Sequence, residues 1–229
     1  MKPAIKVLGV PDDINSSFMR GSSAAPPLIR EALYSASSNL FSESGLNLDQ
    51  EGVWDDLGDI EFTGEVAVEN FKKIKTFVKD VLVSDQKLVS LGGDHSVSWP
   101  ILDAHLDKWD ALDILHIDAH PDLYDSLLGN KLSHASPFAR IMETGRASRL
   151  VQVGIRTLNK HQREQAEKFG VEIYQMKDLA KLSSLSFSKP VYCSIDIDAL
   201  DPAYAPGVSH FEPGGLSTRQ AIDYINGFK

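Results

Sequence analysis

The sequence holds a single cysteine, Cys193, among its 229 residues. An intramolecular disulfide is excluded, and a reducing compartment suits such a chain. Long apolar runs are missing too: no stretch approaches the ~20 residues that a membrane span needs. The N-terminal MKPAIKVLGV enters a strand-like run directly, without the apolar core and cleavage site of a secretory signal. A cytoplasmic protein is expected. Positive charge is in deficit, with 23 Lys and Arg against 32 Asp and Glu and a net charge of -9. The basic face of a nucleic-acid binder is therefore not expected, whereas a small cationic substrate suits the balance. The rest is ordinary for a globular protein: 42% of residues are hydrophobic and 24% charged, enough for a core. The length fits one α/β domain or two very small ones.

Short apolar runs lie at Ile5 to Val10, Lys87 to Leu91, Leu112 to Ile117, Leu150 to Gly154, Val171 to Tyr174 and Val191 to Ile197. They are rich in β-branched residues and mostly do not alternate, as expected of strands buried on both faces. Amphipathic segments lie between them. From Glu65 to Val83, Phe71, Ile74, Val78, Val81 and Leu82 form one stripe, with the lysines mostly off it. Ser136-Pro137 reads as a helix start that stops near Gly145, Asn159 as a cap for a helix ending near Gly170, and Ser217-Thr218 as the start of a last helix. Ser35 to Gly52 and Asn130 to Ser136 read as loop and turn. Strands alternating with helices predict βαβ units: one three-layer α/β/α domain over residues 1–229, with a mainly parallel sheet and ligands at the carboxyl ends of its strands.

Three polar motifs each follow a predicted strand: Gly92-Gly93-Asp94-His95-Ser96, Asp118-Ala119-His120-Pro121-Asp122, and Ser194-Ile195-Asp196-Ile197-Asp198. Asp118, His120 and Asp122 fall at every second position, and Asp196 and Asp198 repeat that spacing, so alternate residues share a face. Burying these groups together without compensation would be prohibitive. A pair of divalent cations removes the difficulty. Four carboxylates and two imidazoles favour Mn²⁺ over Zn²⁺ and leave Fe²⁺, Co²⁺ and Ni²⁺ open. Singly, a Gly-Gly-Asp-His string can be only a tight turn and an Asp-x-Asp pair only an exposed loop; the three in order outweigh those readings. His116, inside a strand, is expected to be a satisfied core histidine, and His105 and His161 to be surface residues.

The sequence resembles the ureohydrolase (arginase and agmatinase) family over nearly its whole length. Beside the three motifs, the resemblance runs through Gly9-Val10-Pro11 with Asn15-Ser16-Ser17, Pro26 to Glu31, Asp56-Leu57-Gly58-Asp59, Gly154-Ile155-Arg156 and Glu212 to Leu216. The run from Ser133 to Glu143 and the string Gly207-Val208-Ser209-His210 are most similar to plant-type arginases. The resemblance implies one metal on His95, Asp118, Asp122 and Asp196 and another on His120, Asp118, Asp196 and Asp198, with Asp118 and Asp196 bridging. It implies two Mn²⁺ ions, hydroxide attack on a guanidinium carbon, and release of urea from L-arginine or agmatine, with related substrates such as guanidinobutyrate or formiminoglutamate also open. His134 matches the family's proton-shuttling histidine, and Asp94 is expected to orient a ligand. A homo-oligomer is also implied.

The family pattern continues past the helix at Ser217 to Phe228 into a further strand, an Asp-x-x-Glu pair that grips the guanidinium group, and a final helix. These are not found before Lys229, so a C-terminally truncated domain lacking the last strand and helix is expected, with an unpaired edge or an uncovered apolar face on the strand carrying Ser194 to Asp198. Glu212 is the remaining candidate to contact a cationic substrate. Two alternatives stay open: a single-zinc deacetylase-like hydrolase on the same fold, against which Asp122 and Asp198 speak by completing a second metal site, and a metal-binding relative with impaired catalysis.

Overall fold

The computed structural model describes residues 5–83, 86–179 and 185–227. The chain forms two compact units, Met1–Lys108 and Trp109–Lys229, each built on a parallel sheet with flanking helices.

In the first unit, β1 (Ile5–Val10) lies between β2 (Trp54–Asp59) and β3 (Lys87–Gly92). Helix α1 (Ala25–Leu33) has prolines at its first turn, where their fixed φ and missing N–H cost nothing. Helix α2 (Ala67–Leu82) buries Phe71, Ile74, Val78 and Leu82, as their spacing predicts. It packs on α3 (Ser98–Lys108), and Lys75 ties the pair by reaching Asp103 at 2.6 Å and Asp107 at 3.1 Å. Expectation from apolar runs passes over β2, because Trp-Asp-Asp-Leu-Gly-Asp carries three acids. Their charge is met from outside the strand: Arg30 of α1 holds Asp56 and Asp59, and Lys6 of β1 holds Asp55. His105, expected at the surface, is instead partly buried in α3, where its Nδ1 meets the Ile101 carbonyl at 2.8 Å and burial pushes its pKa down.

In the second unit the strand order is β6 (Glu172–Gln175), β5 (Ala147–Ile155), β4 (Leu112–Ile117) and β7 (Val191–Ile195). All six residues of β4 are buried, as expected for a central parallel strand. Its alternate side chains separate two layers. Leu115 and Ile117, with Val151 and Val153 of β5, pack against Ala221 and Tyr224 of α6 (Thr218–Gly227). On the opposite face His116 stacks on Phe138 of α4 (Pro137–Glu143) with ring centroids 3.9 Å apart. Helix α5 (Lys160–Phe169) is bounded as its sequence predicts. The Asn159 side chain accepts from the Gln162 amide, and Gly170 adopts the left-handed conformation at the far end. In β7, Val191, Cys193 and Ile195 are exposed, against the two-sided burial that its apolar run suggests but in line with the uncovered face expected of the strand that carries Ser194. It closes one side of its sheet and has only β4 as a partner among the described residues.

Candidate metal and catalytic site

The carboxyl ends of β4 and β7 lie side by side in register, with Ile117 opposite Ile195, so the motifs that follow both strands emerge at one place. Asp118 leaves β4 with its amide bonded to the Val153 carbonyl of β5. Asp196 leaves β7 with its amide bonded to the Ile117 carbonyl. Next to them Gly154, at φ +92°, brings its backbone so near Asp118 that an added Cβ would stand 3.0 Å from the Asp118 carbonyl oxygen, a conformation that glycine adopts at little cost.

Asp118, His120 and Asp198 converge so that one ligand atom of each lies within 4.8 Å of the others. His120 Nδ1 stands 3.1 Å from Asp198 Oδ2 and 3.5 Å from Asp118 Oδ1, and its Nε2 stands 3.6 Å from Glu212 Oε1. Ligand atoms of Asp118 and Asp122 also lie within 4.8 Å of each other and of His116. Asp122 is buried and takes a positive φ of 49°, unusual for a residue with a Cβ and frequent at functional sites. Asp196 is outside these groups; its Oδ1 accepts from the Asp198 amide at 3.0 Å and caps the short turn Ile197–Ala199.

Negative charge is concentrated here beyond what the protein itself neutralises. Burial, reinforced by the Asp118 and Asp196 carboxylates, pushes Asp198 up to about 8. Burial alone would lower the His120 pKa, but hydrogen bonds to Asp118 and Asp198 outweigh it and push it up to about 11. Without another cation, His120 is therefore held as the counter-ion of a carboxylate cluster. Such a donor set fits a divalent metal, whose charge would take over that role.

The orientation of Asp118 is fixed from behind. His116 Nε2 lies 2.6 Å from Asp118 Oδ2, and the Gln152 amide nitrogen lies 3.0 Å from His116 Nδ1 and 2.6 Å from the Pro121 carbonyl. A carbonyl only accepts, so Gln152 donates to both, and His116 is left with its proton on Nε2, donating to Asp118. His116 is thus the satisfied core histidine its position predicts, and also the group that orients Asp118. The i, i+2 spacing of His116 and Asp118 carries that signal. Arg156, which the sequence alone does not single out, is a clamp: its guanidinium donates to the carbonyls of Asp198 (2.7 Å), Glu212 (2.8 Å), Ala199 and Leu200 (3.2 Å each). It holds the segments bearing Asp198 and Glu212. His134, half-buried, stacks against His210, and His210 meets His120 edge-on. His161 is half-exposed, against Asp125 and the Tyr124 ring.

His95 belongs to the first unit and sits in the turn His95–Val97 directly after β3. Asp94, expected to orient a ligand, pins that turn: its carboxylate accepts from Ser96 N (2.9 Å), Asn15 N (3.1 Å) and Ser16 Oγ (3.1 Å). Burial pushes Asp94 up to about 6.

The model of the Arginase family matches residues 3–229. Arginase 1, mitochondrial, of Oryza sativa subsp. indica is 48% identical over 99% of this chain and 71% of its own length. The agmatinase of Bacillus cereus is 34% identical over 96% of this chain and 77% of its own. Among solved structures, the arginase from Medicago truncatula superposes with a TM-score of 0.94 at 44% identity, covering 99% of this chain and 76% of that one. The chain belongs to the arginase family.

Proposed function

We propose that this chain hydrolyses a guanidino carbon–nitrogen bond and releases urea, using two Mn²⁺ ions held by His95, Asp118, His120, Asp122, Asp196 and Asp198. Family membership makes it a hydrolase of linear amidines. The observation that carries the metal half is the crowding of Asp118, His120 and Asp198, with Asp198 held up to about 8: carboxylates this close ionise together only beside added positive charge. When bound, two such ions lower the pKa of water far enough to supply hydroxide near neutrality.

The chain's own residues account for the rest. Asp118, braced by His116 and Gln152, keeps its carboxylate aimed at the site. Glu212, beside His120, offers a negative contact for the guanidinium. Water adds to the guanidinium carbon and the bond to the alkyl nitrogen breaks. His134 carries a proton to that nitrogen, so that a neutral urea and an amine depart. L-arginine, giving ornithine, is favoured over agmatine, giving putrescine, by the greater likeness to plant proteins named arginase than to a bacterial agmatinase. We further propose that the two units act as one domain of a homo-oligomer, and that the protein resides in the cytoplasm; the mitochondrial setting in the rice relative's name is said of that relative.

The test compares kcat/KM in Mn²⁺ for urea release from L-arginine, agmatine and guanidinobutyrate, and for formamide release from formiminoglutamate. The highest value is expected with L-arginine. Product from none of the four, or a preference for formiminoglutamate, would sink the proposal, and a preference for agmatine or guanidinobutyrate would correct the substrate alone.

A further inference from the structure

We infer that His210 is a positioning residue whose ring, seated between His120 and His134, sets where the His134 imidazole stands. The inference rests on the hydrolase reading above for the role of His134. The ring of His210 lies 5.6 Å from that of His134 at 29° and 5.6 Å from that of His120 at 73°. These are an offset stack on one side and an edge contact on the other, the two arrangements that aromatic pairs favour. On its own loop, His210 Nδ1 lies 2.9 Å from Ser209 Oγ, which fixes the ring's rotation.

That loop is firmly held. Arg156 donates to the Glu212 carbonyl, the Asp201 carboxylate accepts from the Gly214 amide at 2.7 Å and the Gly215 amide at 3.3 Å, and Leu216 is wholly buried beside Leu200. His134 stands on a second loop, closed by Ser136 N to Ser133 O (3.0 Å) and Tyr124 N to Ala135 O (3.1 Å). Backbone anchoring of this kind fixes where each loop lies, and the stack on a firmly presented neighbour adds a constraint on the His134 ring itself. His210 is outside both groups of converging ligand atoms, and it meets His120 through an edge contact of the two rings. The string that contains it is spelled out in the sequence; its place between the other two histidines is visible only in the fold.

The test uses the full chain with ¹³C-labelled histidine, first free of metal. The His134 Cε1–H resonance is assigned by its loss in His134→Gln. It should move in His210→Ala, where the neighbouring ring current is removed, and move less in His210→Phe, which keeps a ring there. With Mn²⁺ restored, His210→Ala should lose kcat by about 10- to 100-fold, as a misplaced reacting group does, with KM and metal content unchanged. His210→Phe should recover most of the loss. An unmoved His134 resonance in His210→Ala would overturn the inference. So would a His210→Phe that is as slow as the alanine variant, or a change confined to KM. If the parent chain releases no urea, the hydrolase reading fails, while the resonance comparison still decides whether the His210 ring stacks on His134.

Discussion

His116 was readable from sequence as a buried, satisfied histidine, but its partner Gln152 stands 36 residues away on the neighbouring strand, and only the register of β4 on β5 joins them. The same limit applies to His210, whose neighbours come from two other loops. The acids and histidines of the three motifs were legible because each stands directly after a buried strand. Orientation is the less legible part, and it has measurable weight. His116→Phe keeps the stack on Phe138 and removes the donor to Asp118, so metal affinity measured by calorimetry should fall by about 10- to 100-fold. An unchanged affinity would show that the bond does not brace the ligand. The raised pKa values of Asp198 and His120 make a second prediction. Folded Asp198 keeps a proton up to about 8, which an unfolded aspartate releases near ~4. Folded His120 keeps one up to about 11, which an unfolded histidine releases near ~6.5. In both cases the folded state binds the extra proton, so stability falls as pH rises. Both contributions fall together between those two middle values, from the unfolded His120 value to the folded Asp198 value. The Tm of the metal-free protein should therefore decline across that interval, and added Mn²⁺ should remove the decline. A metal-free Tm that climbs there would contradict the charge balance described for the site.

At the scale of elements, the strands β1, β3, β4, β5, β6 and β7 and the helices α2, α4, α5 and α6 follow from apolar spacing, caps and stops. β2 does not, since its acids are satisfied by Arg30 and Lys6 from other elements. The exposed face of β7 follows from the family pattern and not from its apolar run, because hydrophobicity reports what a residue prefers and a sheet margin decides what it receives. The turn that presents His95 depends on a glycine for a stated reason. A Cβ on Gly93 would stand 2.1 Å from the Asp12 carbonyl oxygen, while one on Gly92 would meet only the Val97 side chain at 3.3 Å. Gly93→Ala should therefore destabilise by about 1–3 kcal/mol, measured by denaturant unfolding, and Gly92→Ala by clearly less. Equal losses would mean that the approach of Asp12 to the turn is not what requires glycine.

For the molecule as a whole, composition excluded far more than it identified, and the order of three strand-end motifs identified what composition left open. The parallel α/β class follows from the same alternation of strands and helices, whereas the division into two compact units is carried by pairings that no local pattern announces. A crowded cluster of acids in a chain of the arginase family calls for two metal ions, and one titration tests that requirement. Metal-free chain is given increasing equivalents of Mn²⁺, and the rate of urea release from L-arginine is recorded at each step. The rate should rise from near zero and level off at two equivalents per chain. A plateau at one equivalent, or urea released at full rate without metal, would contradict the central claim.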